Sequence, residues 1–360
     1  MFAVGLVLVG LVVALTKVLP PISLTHDVAF FLILPPILFQ GAMHLHWEHL
    51  KNDWKLVALL AIPGVIVCAL LVGYPLYYFW HIPLIYALLF GALISPTDPV
   101  SVLAILKKIR APDRLRTMLE AESLFNDGTG VVLFMVIFSM IQSNQPLNVP
   151  YAVGQFSLVT GGGAVIGGLC GYLAYQIIKH LDNRLLQVGI TVVLTFGTPV
   201  IAETLHCSGI IAIVVAGLVM GKKRLKTIET FWKAIDLIMN SLVFLLIGIQ
   251  LQVIGANNLF GFKESIGIGI VIVLISRVLV VYPTLGLFNR HLKPPIPFVW
   301  NHILFWGGLR GTIPILLALQ LPEFPYRSLF LTATFGIVLF SLIIQGLTIE
   351  PLLKKLKLQK

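Results

Sequence analysis

Charge is scarce in this sequence. Only 11% of its 360 residues are Asp, Glu, Lys or Arg, against roughly 25% in a soluble domain. That shortage excludes a water-soluble enzyme and a disordered chain, both of which need charge to stay solvated. Cysteine is also scarce. The three residues Cys68, Cys170 and Cys207 are an odd number set inside apolar runs, which excludes a disulfide scaffold. No polar stretch is long enough for a soluble domain or a linker. What the chain has instead is apolar residues, 58% of the total, and a mean hydropathy of +0.97. A spanning helix needs about 20 mostly apolar residues. The composition therefore implies an all-α polytopic membrane protein.

Hydrophobic runs between charged or Pro/Gly-rich breaks predict about twelve spans. They lie near 1–19, 27–43, 55–80, 83–106, 115–142, 151–179, 186–203, 208–221, 232–252, 264–289, 297–319 and 328–350. The runs 27–43 and 208–221 are short enough to be tilted or broken. The net charge of +10 resembles a nucleic-acid signal, but its distribution follows the positive-inside rule. With the tail Lys354, Lys355, Lys357 and Lys360 placed in the cytoplasm, the cytoplasmic breaks also hold Lys51 and Lys55, Lys107 to Arg116, Lys179 and Arg184, Lys222 to Lys233, and Arg290 and Lys293. The opposite side keeps Lys17, Lys263 and Arg327, and Arg277 and Arg310 fall within spans. The expected topology has both ends cytoplasmic in a cell membrane, with no nucleic-acid partner. Residues 1–19 lack a charged leading region and a cleavage site, so they read as the first span and not as a signal peptide.

Ionisable residues inside spans are costly and point to function. Span four contains Ser95-Pro96-Thr97-Asp98-Pro99. Each proline removes a backbone donor and disfavours helix at the residue before it, so the span should break there. Span eleven contains Gly307-Gly308-Leu309-Arg310-Gly311, a second interruption in the other half of the chain. Paired interruptions point to a substrate site between inverted repeats. Arg310 could neutralise the negative half-helix ends there and Asp98 the positive ones. Span five contains Glu122-Ser123-Leu124-Phe125-Asn126-Asp127. Ser123 and Asp127 share one helical face, and Glu122 and Asn126 another. Asp127 can then point into a cavity while Glu122 points at a buried arginine.

A small alkali cation is hard and takes oxygen ligands, as hard divalent ions do. Asp98, Asp127, the hydroxyls of Thr97 and Ser123, and carbonyls freed by the broken span offer such a set for Na+. A carboxylate buried in low dielectric must be neutralised by a proton or by a cation. Competition for one acid couples the two fluxes. A membrane-embedded hydrolase would need a nucleophile–base pair or a metal cluster at depth, and neither is present in the spans, so the chain is not read as an enzyme. An ion channel of the same architecture would need a continuous pore, which crossing half-helices oppose. A transport-inactive, truncated homologue is the other alternative.

At these residues the sequence resembles the monovalent cation/proton antiporters, the group of NhaP-type bacterial Na+/H+ antiporters and eukaryotic sodium/hydrogen exchangers. The matching stretches are Gly91–Val100, Glu122–Gly128, Ser208–Gly217, Phe244–Gly248, Ser276–Arg277 and Gly307–Gly311. The resemblance implies a Na+/H+ antiporter-like fold with two broken crossing helices. It implies one domain over 1–360, with an ion-binding core near 83–142 and 264–350 moving against a scaffold, and a homodimer. It implies exchange of Na+, Li+ or K+ for H+ without a cofactor, serving sodium and pH homeostasis. Asp127 would be the principal acid with Asn126 as its motif partner, and the Asn-Asp pair is similar to the electroneutral branch. Thr97, Asp98, Pro96 and Pro99 would form the crossing. Glu122 would pair with Arg277, with Arg310 as the alternative. Arg310, Gly308 and Gly311 would support the second break.

Weaker signals complete the reading. His44, His46 and His49 form a loop cluster read as solvated rather than zinc-binding. His302 is placed at the membrane interface. Glu203 and His206 could line an entrance, and Asp236 a cation-attracting funnel. Gly161 to Gly171 is a packing face, since no Lys accompanies it as in a phosphate loop.

Overall fold

The computed structural model describes residues 2–16, 28–45, 47–143, 146–221, 225–250, 261–292 and 294–356. All regular structure among them is helical. Among the described residues seven helical stretches, two of them joining consecutive helices, are long and apolar enough to cross a membrane, and shorter apolar helices lie between them. In chain order they are α1 (Phe2–Thr16), a π-helical turn Val28–Ile33 leading into α2 (Leu34–His44), α3 (Trp47–Ala61), α4 (Pro63–Trp80), α5 (Leu84–Ile94), α6 (Val100–Lys108) and α7 (Asp113–Gln142). Then come α8 (Val149–Lys179), α9 (Arg184–Thr204), α10 (Gly209–Met220), α11 (Lys226–Ile249), α12 (Lys263–Phe288), α13 (Val299–Trp306), α14 (Thr312–Leu319), α15 (Arg327–Phe340), a π-helical turn Ser341–Gln345 and α16 (Gly346–Lys355). The order matches the expected spans, and both Pro/Gly-rich runs interrupt helix.

Several basic residues read as loop are helical. Lys51 and Lys55 lie in α3, Arg114 and Arg116 in the first turn of α7, and Lys354 and Lys355 in the last turn of α16. A start such as Trp47–Trp54 is too polar for a hydropathy run but is helical. Lys17, His46, Lys222, Lys223, Arg224, Lys293, Lys357 and Lys360 lie outside the described residues, as does the side chain of His49.

The chain divides into two units. The first comprises Met1–Leu24, Glu48–Gly130 and Val243–Lys360, and the second Thr25–Trp47 and Val131–Leu242. In the first unit α4 packs on α5 and α12, and α15 on α12 and α14. In the second, α10 is apolar throughout and packs against α8, α9 and α2. Gly163, Gly167 and Gly171, four apart on α8, meet Ser208, Ala212 and Ala216 at backbone distance. Small residues at that spacing let helices approach where lipid supplies no hydrophobic drive. Trp232 is buried there, its ring tilted against Phe39 at 5.0 Å and its indole N–H donating to the Thr191 hydroxyl at 2.9 Å.

Candidate functional site

The site is built in the first unit, where the interruptions of both broken spans meet. α5 ends at Ile94 and α6 begins at Val100. α13 ends at Trp306 and α14 begins at Thr312. The two breaks bond to each other directly: the Asp98 amide donates to the Leu309 carbonyl at 2.7 Å.

Unwound backbone at membrane depth must find partners within the protein, and here it does. Arg310 donates to the carbonyls of Ser95 and Pro96, the latter at 3.2 Å. Thr97 N–H donates to Asn126 Oδ1 at 3.1 Å, and the Thr97 carbonyl accepts from Ser123 Oγ. Asp98 Oδ1 accepts from the Val100 amide at 3.0 Å, and the Pro99 carbonyl accepts from Leu103 at 2.7 Å. Pro96 and Pro99 have no amide hydrogen to place. Three of the carbonyls freed by the break are therefore already hydrogen-bonded within the protein. The carbonyls of Ser95, Pro96 and Thr97 already accept from Arg310 and Ser123, because a cationic guanidinium and a hydroxyl reach them first.

The second break is closed by residues that sequence reasoning missed. Arg310 N–H donates to Ser341 Oγ at 2.7 Å, Ser341 Oγ donates to Gln345 Oε1 at 2.6 Å, and Gln345 Nε2 donates to the Trp306 carbonyl at 3.3 Å. Ser341 and Gln345 bound a π-helical turn inside an apolar span. Their signal was a polar pair at i, i+4 without charge. Cys68, 3.3 Å from Ser276 Oγ, also receives Arg310 at 3.7 Å.

Charge is distributed over the half-helix ends in the sense that helix dipoles favour. Arg310 covers the last carbonyls beyond α5. Arg277 Nη2 donates to the Leu304 carbonyl in the last turn of α13 at 3.1 Å. The Asp98 carboxylate sits at the start of α6 and also against Gly311, the residue before α14. A Cβ on Gly311 would overlap the Asp98 carboxylate. A Cβ on Gly308 would come within 2.7 Å of Arg277 Nε. These two glycines leave room for the charged groups.

α7 carries the remaining side chains. Glu122 is 1% exposed and takes two bonds from Arg277, at 2.7 and 2.8 Å. Asn126 bridges the pair to the break, donating to Glu122 Oε1 at 3.2 Å and to Thr97 Oγ1 at 2.6 Å. Arg310 is spent on the break and not on Glu122. Asp127 is different. It is half-buried, within electrostatic reach of Asp98, Glu122 and Arg310, and makes no hydrogen bond among the described residues. Among the side chains at the crossing, oxygens with spare lone pairs are those of the Asp127 and Asp98 carboxylates and of the Thr97 and Ser123 hydroxyls.

The weaker candidates lie elsewhere. Glu203 and His206 line a cavity of about 500 Å³ in the second unit with Gln142, Gln155 and Ser208. His302 Nδ1 is 2.6 Å from the Tyr282 hydroxyl and its ring meets Phe298 edge-on. Asp236 accepts from Asn240 at 2.7 Å. His44 Nδ1 is bonded to the Gln40 carbonyl. Among the described residues no group of three His, Cys, Asp or Glu could hold a metal ion.

The family model described as "Sodium/hydrogen exchanger, transmembrane" matches residues 2–355. The chain belongs to that family. This exchanger is 38% identical to the Na(+)/H(+) antiporter NhaH of Halobacillus dabanensis, over 98% of its own length and 91% of the relative's. It is also 38% identical to the Na(+)/H(+) antiporter NhaP of Pseudomonas aeruginosa, covering 90% and 80%. Its fold is similar to that of the sodium proton antiporter MjNhaP1 of Methanocaldococcus jannaschii, with a TM-score of 0.80 at 22% identity over 99% and 92% of the two chains. It is a multi-pass membrane protein of a transporter family.

Proposed function

We propose that this exchanger moves Na+ across the membrane in return for H+, with Asp127 as the acid that both ions share. The observation that carries the reading is the contrast on α7. Glu122 is fully bonded, whereas Asp127 keeps both oxygens free beside Asp98 at the crossing of the breaks. An ionised carboxylate without hydrogen bonds in a low-dielectric site is unstable by itself. A proton stabilises it in one half of the cycle, and a cation held with Asp98, Thr97 and Ser123 in the other. Since either ion excludes the other, neither crosses without exchange. One Asp127 site and one ion at a time give electroneutral exchange by alternating access. Li+ and K+ meet the same oxygens, and selectivity follows from how closely these approach.

The same reading takes residues near 83–142 and 264–350 as the ion-carrying core, the remainder as scaffold, and the working unit as a homodimer. It places both ends of the chain in the cytoplasm of a cell membrane and assigns sodium and pH homeostasis as the role.

The test is proton flux in proteoliposomes on adding Na+, Li+ or K+, with the voltage clamped by valinomycin in the Na+ and Li+ runs. Flux that persists under the clamp and vanishes in Asp127→Asn supports the reading. Flux retained in Asp127→Asn removes Asp127 as the shared site. Current carried by Na+ without proton movement would favour a channel instead.

A further inference from the structure

A second buried ion pair lies on α7, away from the site. Arg114 Nε and Nη2 each donate at 2.7 Å to the two oxygens of Asp53 on α3. The Asp53 side chain is 2% exposed. The remaining arm of the fork, Arg114 Nη1, donates at 2.8 Å to the carbonyl of Pro294, in the segment that leads into α13. That segment is itself held, since Asn289 at the end of α12 exchanges two hydrogen bonds with Ile296, at 2.9 and 2.5 Å.

Arg114 therefore ties α7 to the hairpin of α12 and α13 at one end. Glu122 ties α7 to the same hairpin at membrane depth, through Arg277 and its bond to the Leu304 carbonyl. Positions 114 and 122 are about 12 Å apart along the helix at 1.5 Å per residue. One tie is a pivot about which a helix can tilt or roll. Two ties at that separation fix both, and with them the direction in which Ser123, next to the second tie, and Asp127, five residues beyond it, point. We infer that Arg114, held by Asp53, is a positioning residue for the ion site: it fixes the setting of α7 on the second broken span. The inference deepens the proposed role of Asp127 and rests on it.

Arg114→Lys keeps the charge but cannot reach both Asp53 oxygens and the Pro294 carbonyl together, because an ammonium lacks the planar fork. Asp53→Asn keeps the shape and removes the charge, and serves if the lysine variant does not accumulate. Hydrogen exchange is measured on the full-length purified chain. The expected result is faster exchange at 113–128 in either variant, with 209–220 unchanged. In proteoliposomes the apparent KM for Na+ should rise roughly threefold to tenfold, since small misplacements of site groups are costly. The maximal rate per folded transporter should stay within about twofold of wild type. The pH profile should move with KM, because the proton binds the same acid. Unchanged exchange at 113–128 overturns the inference. So does a fall in folded protein with KM and pH profile intact, which would make the pair only structural. If wild type shows no flux, or Asp127→Asn retains it, the function reading fails, and the exchange rates at 113–128 still decide the role of Arg114.

Discussion

Two sides of α7 hold carboxylates five residues apart in opposite conditions. Glu122 is enclosed, with both oxygens bonded to Arg277 and one also to Asn126. Asp127 has charged neighbours and no hydrogen bond among the described residues. On the proposed function, the difference separates a carboxylate that holds the fold from one that works. A buried charge that is to stay must be paired and hydrogen-bonded. One that is to exchange its partner must be left with neither. Asn126 stands between them on the sequence but belongs to the enclosed side, since its amide is used up on Thr97 and Glu122.

The largest expected effect breaks the open side. Asp127→Asn should abolish Na+-driven proton flux altogether. It should leave the melting temperature unchanged or raised, because no bond is lost and an uncompensated charge is removed from low dielectric. Flux assay and thermal unfolding in detergent on the same preparation check both halves. A large drop in melting temperature would mean that Asp127 is held as Glu122 is.

The next breaks the enclosed side. Glu122→Gln leaves the Arg277 charge buried without its partner, at a cost of about 3–5 kcal/mol, and should lower the melting temperature sharply. Removing both charges in Glu122→Leu with Arg277→Met should recover at least half of that loss, since a buried pair replaced by apolar groups is often nearly neutral. If Glu122→Gln instead weakens Na+ affinity at an unchanged melting temperature, the two sides are not separate.

Part of this was legible in the sequence and part was not. The breaks were legible because proline and glycine act on local backbone, so Pro96, Pro99 and Gly307 to Gly311 announce them without knowledge of neighbours. The charged residues of the site were legible because any ion in an apolar span is conspicuous. Glu122 and Asp127 could be separated by helical geometry alone, and the family stretches gave the rest. Three things were not legible. The carbonyls of Ser95 and Pro96 looked free, because nothing local says that Arg310, more than 200 positions away, reaches them. Ser341 and Gln345 carry no charge and stand in an otherwise apolar run. Arg114 looked like a loop charge, because the hydropathy run starts after it while helix α7 already includes it, and nothing local pairs it with Asp53.

A smaller effect sharpens the comparison by using two glycines of one break. Gly308→Ala places a methyl against Arg277, and Gly311→Ala places one against the Asp98 carboxylate. Both overpack by one carbon, worth about 1–3 kcal/mol, yet they press on different sides. Gly308→Ala should lower the melting temperature with the KM for Na+ little changed. Gly311→Ala should raise that KM severalfold and spare the melting temperature more. Equal effects on both quantities would mean that the break yields as one piece.

The smallest effect belongs to Gln345, which touches neither carboxylate. Its amide accepts from Ser341 and donates to the Trp306 carbonyl, so it closes the second break from outside the charged network. Gln345→Met fills a similar volume and leaves the Trp306 carbonyl without that donor, at a cost of about 1 kcal/mol. Ser341 still accepts from the Arg310 amide, so the crossing with Asp98 should hold. A small drop in melting temperature with unchanged KM and pH profile is expected. Were KM to rise as much as in Gly311→Ala, the π-helical turn would be acting on the ion site through Arg310, and the working side of the site would extend to the end of the second broken span.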